Sequence, residues 1–275
     1  MPEPVARPAA ERSAAGRWAL GVSYRGTQYS GWQSQPDRGS IQDALERALS
    51  HLADAPVSTV CAGRTDAGVH ALNQVVHFDA PVEREPFSWV RGTNSHLPRD
   101  IAVQWSQPVP SDFHARFDAR GRRYRYVLLQ SPVRPSLESG LVGWVFESLD
   151  LDAMRFAARE LIGEHDFSSF RSSECQAATP VKTLRSIGID RRGAYWHFDF
   201  DASAFLHHMV RNIMACLLAV GSGRRPAPWL REVLAARNRD AAAPTFPADG
   251  LYFVGPYYDA HLRLPDRAPA LDWLP

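Results

Sequence analysis

The same order of local signals occurs twice along this chain, and that repetition limits its fold more than any other feature. In the first pass Trp18, Leu20, Val22 and Tyr24 alternate on one side of a strand. Ser40 then precedes Ile41, Ala44, Leu45, Ala48, Leu49 and Leu52, which is helical spacing behind an N-cap residue. Strand signals follow at Val57–Cys61 and Gln74–Asp79, a helix from Pro86 to about Gly92, and a strand from Ile101 to Trp105. The second pass gives a strand from Arg122 to Leu129 and a helix from Leu151 to Ile162, ended by Gly163. A hairpin of Thr183–Asp190 and Tyr195–Asp201 turns at Arg192-Gly193. Ser203 caps a helix from Ala204 to Val220, stopped by Gly221. A shorter helix spans Trp229 to Ala236, and a last strand spans Leu251 to Val254.

Each pass is β-α-β-β-α-β, the split βαβ pattern. The expected class is α+β, with two ferredoxin- or RRM-like halves joined edge to edge. Their union is one extended, mostly antiparallel sheet with helices on one face and no exposed edge at the join. Pro108 and Pro110 interrupt the pattern near Gln107–Phe113. The expected division is a disordered tail over 1–16, an N-terminal half over 17–110 and a C-terminal half over 111–275. The Pro-, Ala- and Arg-rich tail has no apolar core for a secretory signal. Function is expected on the open sheet face and in the groove between the halves.

With 45% hydrophobic and 22% charged residues the composition is that of a globular protein, and no apolar run reaches the length of a membrane span. Three cysteines without a Cys-x-x-Cys pair support neither a disulfide framework nor a zinc site, and point to a reducing compartment, the cytoplasm. The net charge of +1 announces no nucleic acid, but the distribution says more. Six arginines (116, 120, 122, 123, 125 and 134) lie between Phe113 and Arg134 against one acid, Asp118, with Tyr124 and Tyr126 among them. Such a cluster suits RNA, through bidentate phosphate contacts and base stacking. A solvated strand face explains it equally well in isolation.

The run Cys61-Ala-Gly-Arg-Thr-Asp66-Ala-Gly-Val-His-Ala71 places one carboxylate among small residues, with Arg64 two positions before it. Glycine and alanine leave space for a bulky group to approach the backbone; a tight turn formed by Asp66 is the plainer reading. The helix expected at 204–220 is apolar nearly all round, so it is buried, yet His207 and Arg211, and His208 and Asn212, stand i, i+4 on it. A buried guanidinium requires an anion. Asp66 is one candidate; Asp199 or Asp201, in a purely structural bridge, are the others. Adjacent histidines on a helix diverge by about 100°, so His207 and His208 are not expected to share an ion. No His-Glu-x-x-His spacing occurs, and neither metal nor cofactor is expected. His70 and His77 read as structural or sugar-phosphate contacts. Tyr124 and Tyr126 share one face of their strand, opposite Arg123 and Arg125, and Tyr124 suits stacking on an extruded base.

From Trp18 to His261 the chain resembles the tRNA pseudouridine synthase A family. The resemblance runs through Tyr29-Ser-Gly-Trp-Gln33, the Asp66 segment, Asp112-Phe-His-Ala-Arg-Phe117 and Arg122–Tyr126. It continues through Gly163–Phe170, Phe205–Ile213 and Asp249-Gly-Leu-Tyr252. It implies an isomerase that converts uridine to pseudouridine at positions 38, 39 and 40 of the tRNA anticodon stem-loop. Such an enzyme acts as a homodimer without cofactor or metal. Asp66 falls on the essential carboxylate, which acts as nucleophile or base. Arg64 falls on the arginine that helps displace the target base. Tyr124 falls on the tyrosine that stacks on the uracil and assists proton removal. Arg211 falls on the partner of the carboxylate, and Leu251 on apolar packing beside the base. Arg122 and Arg123 are expected to hold phosphates. The rival class is a non-catalytic RNA-binding protein, which binds tRNA without converting it. Gly255-Pro256 is expected to end the last strand unless the proline lies on an edge.

Overall fold

The computed structural model describes residues 16–36 and 39–266; the tail expected over 1–16 lies almost wholly outside them. Ten strands form one sheet: β1 (Gly16–Tyr24), β2 (Val60–Cys61), β3 (His70–Ala80), β4 (Ile101–Val109), β5 (Gly121–Gln130), β6 (Gly143–Val145), β7 (Gly163–Asp166), β8 (Val181–Arg192), β9 (Tyr195–Ala202) and β10 (Leu251–Tyr257). Five α-helices accompany them: α1 (Ile41–Ala53), α2 (Pro86–His96), α3 (Leu151–Arg159), α4 (Met209–Gly221) and α5 (Trp229–Ala236). The spatial order is β4-β1-β3-β10-β5-β9-β8-β7, with β2 on β3 and β6 on β5. Order β4-β1-β3-β2 in one repeat is matched by β10-β5-β9-β8 in the other, so the fold is the α+β class expected.

The join is narrower than an edge-to-edge ladder. β10 meets β3 in parallel, through Tyr252 opposite His70 and Phe253 opposite Ala71. It is possible because β2 pairs with β3 only at Val60 and Cys61 and leaves the rest of that edge uncovered. β10 does not stop before its proline. The register slips between Phe253 and Gly255, and the strand continues along β5 to Tyr257. Gly255 has φ of +142°, and a Cβ there would lie 2.8 Å from the Asn73 carbonyl. Pro256, which has no N–H, falls where the β3 pairing has already ended, so its missing donor costs no ladder bond.

All five helices lie on one face. Trp18, Leu20, Val22, Phe78 and Phe253 pack with α1 and α2. Tyr126, Leu128, Phe198, Phe200 and Leu251 pack with α3, α4 and α5. Leu251 and Phe253 project from the same side of β10, so the two cores are contiguous under the seam. The opposite face is not open as expected. Phe113, Ala115 and Tyr258 cover one part of it with Trp105 and Val75; Val142 covers another with Val127 and Tyr252.

Three helix ends differ from the sequence reading. α2 runs on to His96 rather than ending at about Gly92. α3 stops at Arg159, because Leu161 and Ile162 bond back three residues, to Ala158 and Arg159, and Gly163 then opens β7. α4 begins at Met209 rather than Ala204. Ser203 is not its cap: Ser203 N–H donates to the Thr183 carbonyl (2.9 Å) and its Oγ accepts from Thr183 N–H (3.1 Å), which ties it to the hairpin. No helix among the described residues is long and apolar enough to cross a membrane.

Phe253 is fully buried where the two cores meet. Phe253→Ala should lower stability by about 3–5 kcal/mol, read as a shift of the urea midpoint. An unchanged midpoint would show that the seam is not part of the cooperative core.

Candidate active site

The loop between β2 and β3 carries Asp66, and it is pinned at Ala62, Gly63, Thr65 and Val69. Ala62 N–H donates to Val75 (2.8 Å) and Val69 N–H to the Asp66 carbonyl (3.2 Å). Gln74 Nε2 donates to the Gly63 carbonyl (2.5 Å), and the Thr65 hydroxyl lies 2.7 Å from that of Tyr24. Trp32 N–H donates to the Thr65 carbonyl (3.0 Å). This explains the Tyr29–Gln33 segment. Gly31 has φ of +95°, and a Cβ on it would meet the Thr65 carbonyl at 2.7 Å and the Asp66 backbone at 3.0 Å. Only glycine allows that approach.

Arg122 closes the other side. Its guanidinium donates to the carbonyls of Ala62 (3.0 Å), Arg116 (2.6 Å), Ala119 (3.3 Å) and Ser203 (3.0 Å). With most of its five N–H donors engaged this way, it ties together the Asp66 loop, the basic loop 116–120 and the approach to α4. The expectation that Arg122 and Arg123 hold phosphates therefore meets a different geometry. Arg123 pairs with Asp266 and stacks over Tyr257. Arg125 is bidentate on Asp199 (2.6 and 2.9 Å), and Arg120 faces Asp259 (3.6 Å). The density of arginine in the sequence concealed how many of them have partners within the fold.

Across the seam, Arg211 Nη1 donates to Asp66 Oδ2 at 3.0 Å. Asp201 is taken by Arg185 and Tyr257, so with Asp199 held by Arg125 neither structural alternative is the partner. Arg211 is fixed in turn through Nε to the Phe246 carbonyl (2.9 Å). The histidines do converge, against expectation: His207 Nε2 lies 3.4 Å from Asp66 Oδ1, and His208 Nε2 lies 3.4 Å from Oδ2. Adjacent side chains diverge by about 100° only within a helix. These residues precede α4, and His208 stands at φ +63°, ψ +2°. A non-glycine residue in that conformation is strained by about 1–3 kcal/mol, a cost that recurs at functional sites. Nothing in the sequence reports a positive φ, so this convergence was not readable there.

The Asp66 side chain keeps 20% of its surface and that of Arg211 17%, so the carboxylate is largely dry yet open to a substrate. Burial alone would push its pKa up. The His207 hydrogen bond, the charge of His208 and the Arg211 hydrogen bond outweigh it and hold the pKa below the usual carboxylate value. The donor atoms of Asp66, His207 and His208 lie within 4.8 Å of one another, a spacing that a divalent ion could bridge. The Arg211 guanidinium on the same carboxylate would repel that ion, so the set reads as an anion held by cations. Tyr124 packs its ring between Phe205 and Phe253, with both centroids 5.0 Å away. Burial, and then the charge of Asp66, push its pKa well above the ordinary phenol value. It is thus a neutral phenol, suited to stacking or donating a hydrogen bond and not to acting as a phenolate base.

Arg64 is exposed, with a long contact to Gln176 (3.5 Å). Leu251 is 3% exposed and lies in the core beside Tyr126, which leaves it little surface for a base. His70 and His77 are structural: His70 accepts from Gly26 N–H and His77 from Ala115 N–H (both 3.1 Å), and burial takes each pKa down to about 4. A separate cleft of about 630 Å³ opens beside His70 and Tyr252, lined by Arg25, Arg99 and Gln104; Tyr24 also lines it, but Asp66, Tyr124, His207, His208 and Arg211 do not.

A family model described as tRNA pseudouridine synthase matches residues 21–118 and 157–259. Three relatives named tRNA pseudouridine synthase A each align with 94% of this chain and with their own whole length. That of Methylibium petroleiphilum is 70% identical over 259 residues, that of Paracidovorax citrulli 64% over 277, and that of Albidiferax ferrireducens 63% over 259.

Gly31→Ala should destabilise the protein by about 2–4 kcal/mol, because it combines an unfavourable φ with backbone overlap. Chemical denaturation measures this; a wild-type midpoint would mean that Gly31 does not brace the Asp66 loop.

Proposed function

This chain belongs to the tRNA pseudouridine synthase family and isomerises uridine to pseudouridine in tRNA, and we propose that Asp66 is the carboxylate that does so at positions 38, 39 and 40 of the anticodon stem-loop. The observation that carries this reading is the Asp66 carboxylate, held ionised at the seam by Arg211 with His207 and His208 on its two oxygens.

The reaction breaks N1–C1′, turns the base, joins C5 to C1′, releases the C5 proton and returns a proton to N1. It is redox-neutral and calls for no cofactor. The carboxylate can add to the base, add to the sugar, or remove a sugar proton, and each route starts from its ionised form. Since a stem nucleotide is stacked and paired, it must first be extruded, at roughly a few kcal/mol. Tyr124, with an aromatic face beside the carboxylate, is the stacking platform. Arg64, exposed on the rim of the same loop, is placed to occupy the space the base leaves. Exposed Arg64 and Arg116 take up the phosphate contacts first assigned to Arg122 and Arg123. Leu251 contributes by packing under Tyr126. We infer that the enzyme works as a homodimer in the cytoplasm, as the family resemblance implies, with the 17–110 half bringing Asp66 and the 111–275 half bringing Tyr124 and Arg211.

Asp66→Asn preserves shape but removes the anion. Its rate should fall by at least about 10⁴-fold, while tRNA affinity stays within a few-fold of wild type. The assay is tritium release from tRNA labelled at uridine C5, paired with filter binding. Turnover in Asp66→Asn purified free of host enzyme would remove Asp66 from the reaction. Binding without tritium release from the wild-type protein would favour the non-catalytic reading.

A further inference from the structure

The two oxygens of Asp66 are held unequally. Arg211 and His208 both face Oδ2, at 3.0 and 3.4 Å, whereas His207 faces Oδ1 at 3.4 Å. Arg211 is held in addition through Nε to the Phe246 carbonyl. His207 has a different anchorage. Its N–H donates to Cys175 Sγ (3.4 Å) and its carbonyl accepts from Ser172 N–H (3.0 Å), so its backbone is set by the turn at 172–175 rather than by α4. That turn leads to Gln176, which touches Arg64 on the exposed rim. The His207 ring is therefore mounted on the segment that touches exposed Arg64, over the oxygen that carries the fewer contacts.

Resting on the reading of Asp66 as the reacting carboxylate, we propose that Oδ1 is its reacting oxygen and that His207 is the positioning residue that holds this oxygen in line for the target nucleoside.

The groups facing His207 agree with this assignment. Asp66 comes from its loop, His208 packs ring to ring at 4.0 Å, and Glu174 and Cys175 come from the turn, while Arg211 on α4 acts on His208 and on the shared carboxylate. The Asp66 hydrogen bond raises the His207 pKa more than burial lowers it, and the charges of Asp66, Cys175 and Glu174 add to the rise. For His208 burial lowers the pKa more than Asp66 raises it, and His207 and Arg211 lower it further. Adjacent rings on one carboxylate are thus shifted in opposite directions, His207 upward and His208 downward. The sign follows. A raised value means that the charged contact is complete below the ordinary histidine value of 6.5 and is lost as pH rises through the higher folded value.

The test is single-turnover tritium release from C5-labelled tRNA at saturating enzyme, from about pH 6 to 9 across the histidine range, with filter binding at each pH. Wild type should lose rate on the alkaline side with a midpoint above 6.5. His207→Gln keeps an N–H donor without a titrating charge; it should lose this limb and run roughly 10- to 100-fold slower at neutral pH, with affinity little changed. His208→Gln should keep the limb, whatever its rate. A limb of unchanged midpoint in His207→Gln overturns the proposal, as does its loss in His208→Gln alone. If His207→Gln melts early, nitrogen NMR titration of His207 in the wild-type protein decides: a midpoint at or below 6.5 overturns the assignment. Turnover in Asp66→Asn would sink the Asp66 reading itself. A persistent limb in His207→Gln, with Asp66→Asn inactive, sinks only the role of His207.

Discussion

The Asp66–Arg211 contact is the interaction on which the site depends. It joins residues 145 positions apart, one from each repeat, across a seam whose β3–β10 ladder has only two register pairs. A carboxylate at that depth loses hydration, and an unpaired one would take up a proton instead. The guanidinium prevents this and fixes the direction of the group. Because Arg211 also holds the Phe246 carbonyl, the same side chain sets the segment that leads into β10. Such pairs add little net stability over an apolar contact but strongly favour one geometry; here that geometry is the reactive one.

Around this pair the protein spends backbone constraints rather than charge. Tyr24, Trp32, Gln74 and Arg122 each grip one residue of the Asp66 loop, and Gly31 lets the neighbouring chain press against it. Arg122 illustrates the limits of reading charge from composition. Within Arg122-Arg123-Tyr124-Arg125 the alternation suggested a basic face for RNA. In the fold one arginine braces four carbonyls and the other two pair with Asp266 and Asp199. A net charge of +1 is consistent with that internal pairing. The cations left exposed near the site, Arg64 and Arg116, are fewer and flank the loop that carries Asp66.

Periodicity made most elements legible. The Ser40 cap and the apolar stripe of α1 are local properties, and the hairpin of β8 and β9 follows from alternation around Arg192-Gly193. Where the reading failed, a distant residue decided. Ser203 has the chemistry of a helix cap, but Thr183 claims it; α4 therefore starts five residues late, and His207 and His208 turn together onto Asp66. Pro256 does not end its strand, because the β3 pairing stops at Phe253 and leaves the proline at an edge, the one setting in which the sequence reading allowed it. The Arg211–Asp66 pair was legible as one of three options, since a buried guanidinium demands an anion, but only tertiary structure distinguishes Asp66 from Asp199 and Asp201. Gly31 carried no signal beyond its place in the family pattern; its role is steric and lies 35 positions away, at Asp66.

The central claim is that this cradle keeps Asp66 ionised and ready at every pH where the enzyme works. Carbon NMR of protein labelled at the aspartate carboxyl carbon, with the Asp66 signal assigned from its absence in Asp66→Asn, measures that directly. The Arg211 guanidinium, with the histidine contacts beside it, predicts no Asp66 titration step between about pH 4 and 9, and an upward-shifted step in Arg211→Ala. An Asp66 midpoint inside that window in the wild-type protein would mean that burial, not the cradle, governs the carboxylate, and would contradict the account.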